Sequence, residues 1–196
     1  MLYRTQCPFC NACEAIRVPV RDFRPSKSLR KVWNRNSDLD VDHGSAVFSQ
    51  ERLMLYNRHK LERGLSKTQR KMSQYSYQQW FLQSCADTRE FRYYLDGKLI
   101  GVSILDFGRE DISSVYFYFD PDHSDRSLGT FSILYEIDWM RRYQRRNYYL
   151  GLYVEDCSHL SYKGRFFPHE RRVAGRWLRF EEPHVSRDHA PPVEDL

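Results

Sequence analysis

A change of hydrophobic period at Thr88 constrains the fold of this chain more than any other feature. Phe91-Arg-Tyr-Tyr-Leu95 and Lys98-Leu-Ile-Gly-Val-Ser-Ile-Leu105 are β-rich runs separated only by Asp96-Gly97. That pair supplies the two left-handed residues of a tight hairpin turn. A third strand, Ile112 to Phe119, stops at Asp120-Pro121. Ser127 to Tyr143 then places Leu128, Phe131, Leu134, Ile137 and Met140 at helical spacing, and Asn147 to Val154 returns as a strand. Three antiparallel strands, a crossover helix packed on them and another strand predict an α+β fold.

Ahead of this unit, Ala15 to Val20 alternates like a strand, and Ser26 to Asn36 reads as a Ser-capped helix with Leu29, Val32 and Trp33 on one side. A short strand around Leu39-Asp-Val41 and a His43-Gly44 turn lead to a helix capped by Ser49 and ending near Gly64. Residues 65–74 are polar and loop-like. Ser76 to Cys85 reads as a helix with Trp80, Phe81 and Cys85 facing inward. These patterns divide the chain into a basic Cys-containing subdomain (1–42), a main domain (43–180) and an acidic, Pro-bearing tail (181–196) expected to be disordered.

The net charge of +5 is unevenly spread. Residues 1–36 carry eight Arg or Lys against two acids, and Arg58 to Lys71 six against one. Residues 86–125 reverse this, with nine acids against four bases. A basic face beside an acidic body suits a phosphate-rich partner through counterion release, and is also what a solvated charged surface looks like. No run approaches the roughly 18 apolar residues of a membrane span, and the basic start is not a signal peptide. Five cysteines, three of them too close to bridge usefully, fit a reducing cytoplasmic compartment.

Those three, Cys7, Cys10 and Cys13, have C-x-x-C-x-x-C spacing. Three thiolates can wrap one ion, but a closed zinc site or an iron–sulfur cluster normally needs a fourth ligand. Cys85 and Cys157 lie in other segments. The triplet therefore reads either as a partial metal site or as a turn of buried thiols, and no cofactor is required. The seven histidines show no metalloprotease or zinc-finger spacing, and no nucleophile triad is apparent.

Arg126-x-x-Gly129-Thr130 opens the long helix directly after a strand. Unpaired first-turn N–H groups, a glycine and a cation make a phosphate cradle, although an ordinary helix start has the same composition. The context resembles acyltransferases of the GNAT type, whose R/Q-x-x-G-x-G/A turn binds a pyrophosphate. Phe131 stands where coenzyme A would require Gly or Ala, which argues for another phosphate-bearing acyl donor.

Tyr3-Arg4 followed by C-P-x-C-x-x-C, the Arg24 to Arg30 run, Asn34-Arg-Asn36, Ser113 to Pro121, Ser127-Leu-Gly-Thr130, Tyr149-Leu-Gly151, and Tyr162-Lys163 with Phe166, Pro168 and Glu170 fall in a known order. Over Tyr3 to about Trp177 the chain resembles the tRNA-dependent aminoacyl-protein transferases. Within them it is most similar to the bacterial aspartate/glutamate leucyltransferase branch, relatives of the arginyl-tRNA-protein transferases. The resemblance implies a GNAT-like domain with a mixed, mostly antiparallel sheet flanked by helices, preceded by a partial small N-terminal domain. It implies transfer of an aminoacyl group, leucine on the branch resemblance with arginine as the alternative, from its tRNA to the α-amine of proteins beginning with Asp or Glu, which marks them for degradation. Family members carry some tens of residues, with further cysteines, ahead of Tyr-Arg, so the expectation is either a misassigned start or a truncated chain.

The donor is an activated ester and the acceptor an amine of ordinary pKa about 7.7 to 8.0. The site must chiefly orient two substrates and stabilise charge on the carbonyl oxygen. On the resemblance, Arg126, Gly129 and Thr130 hold the terminal tRNA phosphates. Tyr116 and Tyr118 orient the aminoacyl ester or stack on the terminal adenosine, unless they are simply strand tyrosines. Asp120 holds or deprotonates the incoming ammonium, unless it only caps a turn. Lys163 and Arg165 recognise the acidic N-terminal side chain, unless they are an exposed surface pair. A pocket for leucine should be apolar and one for arginine acidic. Two other classes stay open: a GNAT-like enzyme with another donor, and a truncated, non-catalytic tRNA-binding module.

Overall fold

The computed structural model describes residues 12–66 and 68–181. Strands β1 (Glu14–Pro19), β2 (Asp40–Ser45), β3 (Asp87–Leu95), β4 (Lys98–Phe107), β5 (Ile112–Phe119), β6 (Asn147–Tyr153), β7 (His169–Val173) and β8 (Arg176–Phe180) form one sheet. Their order is β2-β3-β4-β5-β6-β1-β7-β8. The helices are α1 (Lys27–Arg35), α2 (Gln50–Glu62), α3 (Gln74–Phe81), α4 (Leu128–Arg142) and α5 (Ser158–Ser161), with 3-10 helices at Pro121–Arg126 and Tyr162–Arg165. Neighbouring strands are antiparallel apart from β5 and β6, which run parallel because α4 carries the chain back between them.

Local chemistry accounts for most boundaries. The hydroxyls of Ser26, Ser49 and Ser73 accept the N–H groups of Leu29, Arg52 and Ser76, capping α1, α2 and α3. Asp96 and Gly97 take φ of 49° and 75°, as the predicted β3–β4 turn requires. The helix expected over Ser76 to Cys85 instead runs from Gln74 to Phe81. Tyr77 and Phe81 face inward, while Trp80 is 60% exposed and Cys85 lies at the surface, so the apolar face is rotated from the expected one.

Helices cover both faces of the sheet. On one, Leu29 of α1 and Phe131, Ile137 and Trp139 of α4 bury Ile16, Phe91 and Tyr93. On the other, Leu53 and Tyr56 of α2 and Tyr77 and Phe81 of α3 bury Val102, Ile104 and Tyr118. Residue 42, where the sequence pattern divides the chain, lies inside β2. β1 sits between β6 and β7, so residues of the basic N-terminal stretch share the sheet and core with the rest. Residues 182–196, the greater part of the expected tail, lie outside the described residues.

One irregularity positions the site. β5 and β6 pair at Ile112–Tyr148 and Ser113–Tyr149 and then part. Each carries an extra residue at that point: Val115 against β4, and Leu150 against β1. Gly151 follows with φ 85°, a conformation that glycine adopts without penalty. The Val115 bulge also reverses the strand's alternation. Ile112 and Phe117, five positions apart, pack towards α4, whereas Val115, Tyr116 and Tyr118 pack towards α2 and α3.

Candidate active site

The parting of β5 and β6 opens a cleft of 620 Å³. Its walls are β5 from Ser114 to Phe117, the start of α4 from Ser127 to Thr130, and Leu150 to Leu152 of β6. The end of α2 (His59, Arg63) and residues Leu160, Tyr162 and Lys163 complete it. Among the described residues, none of those lining the cleft is a carboxylate.

Ser127 enters α4 in a left-handed conformation (φ 57°, ψ 44°), and its carbonyl accepts the N–H groups of Thr130 and Phe131. The N–H groups of Leu128 and Gly129 therefore precede the helical ladder, at the positive end of a 15-residue helix on the cleft wall. A Cβ at position 129 would lie 3.7 Å from the Phe117 ring, an ordinary contact. Packing does not demand glycine here.

Of the residues singled out in the sequence, Tyr116, Gly129, Thr130 and Lys163 line this cleft. Lys163 is largely buried and donates to the Leu152 carbonyl at 2.9 Å, and burial lowers its pKa to about 8. Near neutrality it is still mostly a cation, so it presents a poorly solvated positive charge to the cleft. Burial likewise raises the Tyr116 phenol above its ordinary range.

The other predicted site residues are placed elsewhere. Arg126 is not among the lining residues; its guanidinium forms a two-point pair with Asp38 at 2.9 Å on each arm. Tyr118 is fully buried beneath α2 and α3, with its hydroxyl 2.6 Å from that of Tyr77. Desolvation pushes its pKa well above that of an ordinary phenol. Asp120 is 1% exposed, salt-bridged to Arg58 at 2.8 Å and Lys98 at 2.9 Å, and accepts the Asp122 N–H. Burial alone would raise its pKa, but Lys98, that N–H and Arg58 hold it below the ordinary carboxylate value. Arg165 is exposed and borders a separate depression with Tyr153, His169 and Arg171. Phe131 turns its ring into the core against Trp33, Tyr93 and Tyr135, so its bulk does not fill the turn and says nothing against a coenzyme A donor. Cys7 and Cys10 lie outside the described residues; Cys13 is half-buried just ahead of β1. Among the described residues no three His, Cys, Asp or Glu side chains are grouped to hold a metal.

Three further side chains complete the cleft. His59 has Nδ1 3.1 Å from both the N–H and the carbonyl of Phe119, and burial lowers its pKa to about 4. It is neutral near pH 7 and braces the end of β5. Arg63 lies one turn further along α2, 5.0 Å from the Phe119 ring centroid and 3.4 Å from His59 Nε2. Tyr162 is next to Lys163 in the 3-10 helix. The basic run beginning at Arg58 was the sequence signal that contained Arg63.

The sequence matches the family profile described as arginine-tRNA-protein transferase, C terminus, over residues 51–173, and the N-terminal profile of that family over residues 1–31. The chain belongs to the arginine-tRNA-protein transferase family. It is an aminoacyltransferase by that membership, and the matched C-terminal segment contains every cleft residue named above. Among relatives in the arginine-tRNA-protein transferase family, it is 35% identical over 187 residues to an aspartate/glutamate leucyltransferase of Stenotrophomonas maltophilia, covering 92% of this chain and 74% of that one. It is 33% identical over 180 residues to one from Pseudoalteromonas atlantica, covering 90% and 76%. The structure of L-PGS from Bacillus licheniformis is similar with a TM-score of 0.53 at 14% identity, over 76% of this chain and 46% of that one. That likeness concerns fold alone, a mixed, mostly antiparallel sheet flanked by helices.

Proposed function

We propose that this protein moves leucine from leucyl-tRNA to the α-amine of proteins whose first residue is Asp or Glu, marking them for degradation in the cytoplasm. One observation carries the choice of donor and acceptor: apolar side chains such as Val115, Leu150, Leu152 and Leu160 share the cleft wall with hydroxyls, imidazoles and the cations Arg63 and Lys163, with no carboxylate among the described lining residues. The apolar part of that wall accepts a leucyl side chain, whereas an arginyl guanidinium would be desolvated there beside two cations and without an anionic partner. The two cations suit the carboxylate of an acidic first residue.

In this arrangement the α4 N–H groups at Leu128 and Gly129, with the Thr130 side chain, hold the 3′-terminal phosphate of the tRNA. Tyr116 packs against the aminoacyl ester or the terminal base. The exposed bases Lys27, Arg30 and Lys31 of α1 contact the acceptor stem, a salt-sensitive contribution. Lys163 pairs with the acceptor's side-chain carboxylate; Arg165, facing away, does not. The reaction gains from holding ester and amine together and from backbone donors aimed at the carbonyl oxygen. No metal or cofactor has a role in this scheme.

The test mixes the purified protein with labelled leucyl-tRNA or arginyl-tRNA and peptides beginning with Asp, Glu, Ala or acetyl-Asp. Leucine transfer to Asp and Glu peptides, with none to acetyl-Asp, is expected. Transfer from arginyl-tRNA in preference to leucyl-tRNA would overturn the donor assignment. Lys163→Met should lower the Asp-over-Ala preference by roughly 10- to 100-fold, the loss of one charge-assisted hydrogen bond, while tRNA binding stays within about twofold. Because Lys163 loses its proton near pH 8, that preference should also fade in the wild type above about pH 8.

A further inference from the structure

Among the buried ionisable groups that the scheme above leaves unused, Glu136 adjoins the cleft. Glu136, 1% exposed, lies on α4 one turn beyond Ser132, itself a cleft residue. Its carboxylate accepts the Tyr93 hydroxyl of β3 at 2.9 Å and the Tyr148 hydroxyl of β6. The Ser103 hydroxyl of β4 is beside it, and Tyr162 interacts with it from the 3-10 helix. The titratable groups facing it from β3, β6 and that helix are thus tyrosines, and none of these neighbours is a cation. A carboxylate held this way, without a counter-charge, is costly to bury.

Tyr148 connects Glu136 to the cleft. Its hydroxyl donates to Glu136, and the Ser114 side chain beside it favours its ionised form. Ser114 is the first β5 residue beyond the parallel pairing with β6, where the cleft opens. Ser114, Tyr148 and Glu136 thus succeed one another from the cleft wall, across the β5–β6 pairing, to a carboxylate that water does not reach.

We propose that Glu136 is the proton acceptor for the incoming amine, reached through the hydroxyls of Ser114 and Tyr148. This rests on the aminoacyl-transfer reading and adds the route by which the ammonium is deprotonated. One proton of the α-ammonium passes to Ser114 Oγ as the serine proton moves to Tyr148 Oη and the tyrosine proton moves to the carboxylate. The freed lone pair forms the C–N bond to the leucyl carbonyl and the ester C–O bond breaks. The departing ribose oxygen takes the second amine proton. Glu136 returns its proton to water after product leaves, so one proton is released per transfer. Burial raises the Glu136 pKa to about 7 against the pull of the neighbouring Ser103, Tyr148 and Tyr93 hydroxyls, close to the ordinary range of an α-amine. Transfer between groups so matched is nearly balanced, the condition under which a base works best near neutral pH.

The experiment compares wild type, Glu136→Gln, Glu136→Asp and Ser114→Ala in single-turnover leucine transfer to an Asp peptide between about pH 6 and 9. Alongside, the infrared band of the protonated carboxyl is titrated. Wild type should show an acid limb centred near pH 7 in addition to the acceptor's own. Glu136→Gln, which keeps the shape and hydrogen-bonding capacity of the site, and Ser114→Ala should both lose that limb and slow about 100-fold. Glu136→Asp should restore part of the rate. A carboxyl band titrating near 7 should be present in wild type and Ser114→Ala and absent from Glu136→Gln. The proposal is overturned if Glu136→Gln or Ser114→Ala keeps the wild-type rate, if either slows with the limb intact, or if the band is missing from wild type. A wild type that transfers nothing sinks the parent reading and the relay together, whereas active wild type with unaltered variants sinks the relay alone.

Discussion

Asp120 and Glu136 are equally buried, one at the end of β5 and the other beneath it, yet their surroundings give them opposite chemistry. Asp120 has Arg58 and Lys98 within 3 Å and stays ionised well below neutrality. Glu136 has hydroxyls alone and is pushed to about 7. Burial without a counter-charge favours the protonated form, and burial beside two cations favours the anion. Asp120 therefore behaves as a clamp, tying α2, β4 and the Pro121–Arg126 turn together, while Glu136 can gain and lose a proton in the range where the reaction runs.

The largest expected effect comes from breaking the clamp. Asp120→Ala removes a carboxylate that also caps a 3-10 turn, and should cost about 3 kcal/mol in denaturant titration; Arg58 and Lys98 can turn towards water, which keeps the loss from being larger. Next is Glu136→Gln, whose effect depends on pH. The folded pKa is raised, so the stability linked to Glu136 is full below about 4.5 and is lost as pH rises through about 7. Relative to wild type the variant should gain up to about 3 kcal/mol between pH 5 and 8, with the two differing least in acid. A constant offset across that range would show that Glu136 does not titrate. Gly151→Ala sharpens the comparison at the cleft mouth between them. At φ 85° a Cβ is strained by about 1 to 2 kcal/mol, so melting should fall slightly while transfer falls more, because the β6 bend shapes the cleft. The smallest effect belongs to Lys98→Met. Lys98 is 61% exposed, and its pair with Asp120 should contribute under about 1 kcal/mol, most of it screened by salt.

The contrast also marks what sequence reading can and cannot reach. Asp96-Gly97, Ser26 and Ser49 carry their structural consequences within three residues, and the hairpin and helix starts were legible from them. The cleft's Gly129-Thr130 turn and Lys163 were legible for the same reason, as local motifs. Arg126 and Asp120 were not, because their partners Asp38 and Arg58 lie 88 and 62 residues away and only folding reveals that they are already paired. The β7–β8 hairpin turns on Ala174-Gly175 between charge-rich strands, without the apolar alternation that identifies a strand. The order of the sheet was hidden too: nothing near Ile16 says that β1 will lie between two strands from the other end of the chain.

That placement of β1 has a consequence for how the protein is made. Arg17 reaches Glu170 across 153 residues, and neither neighbour of β1 exists until most of the polypeptide has been synthesised. The β3–β4–β5 meander and α4 can assemble from nearby contacts as they emerge, whereas the first strand must wait, unpaired, for the last ones. Closure of the sheet through β1 is therefore expected to be the late event of folding, and a chain stopped short of β6 would leave β1 without either partner strand.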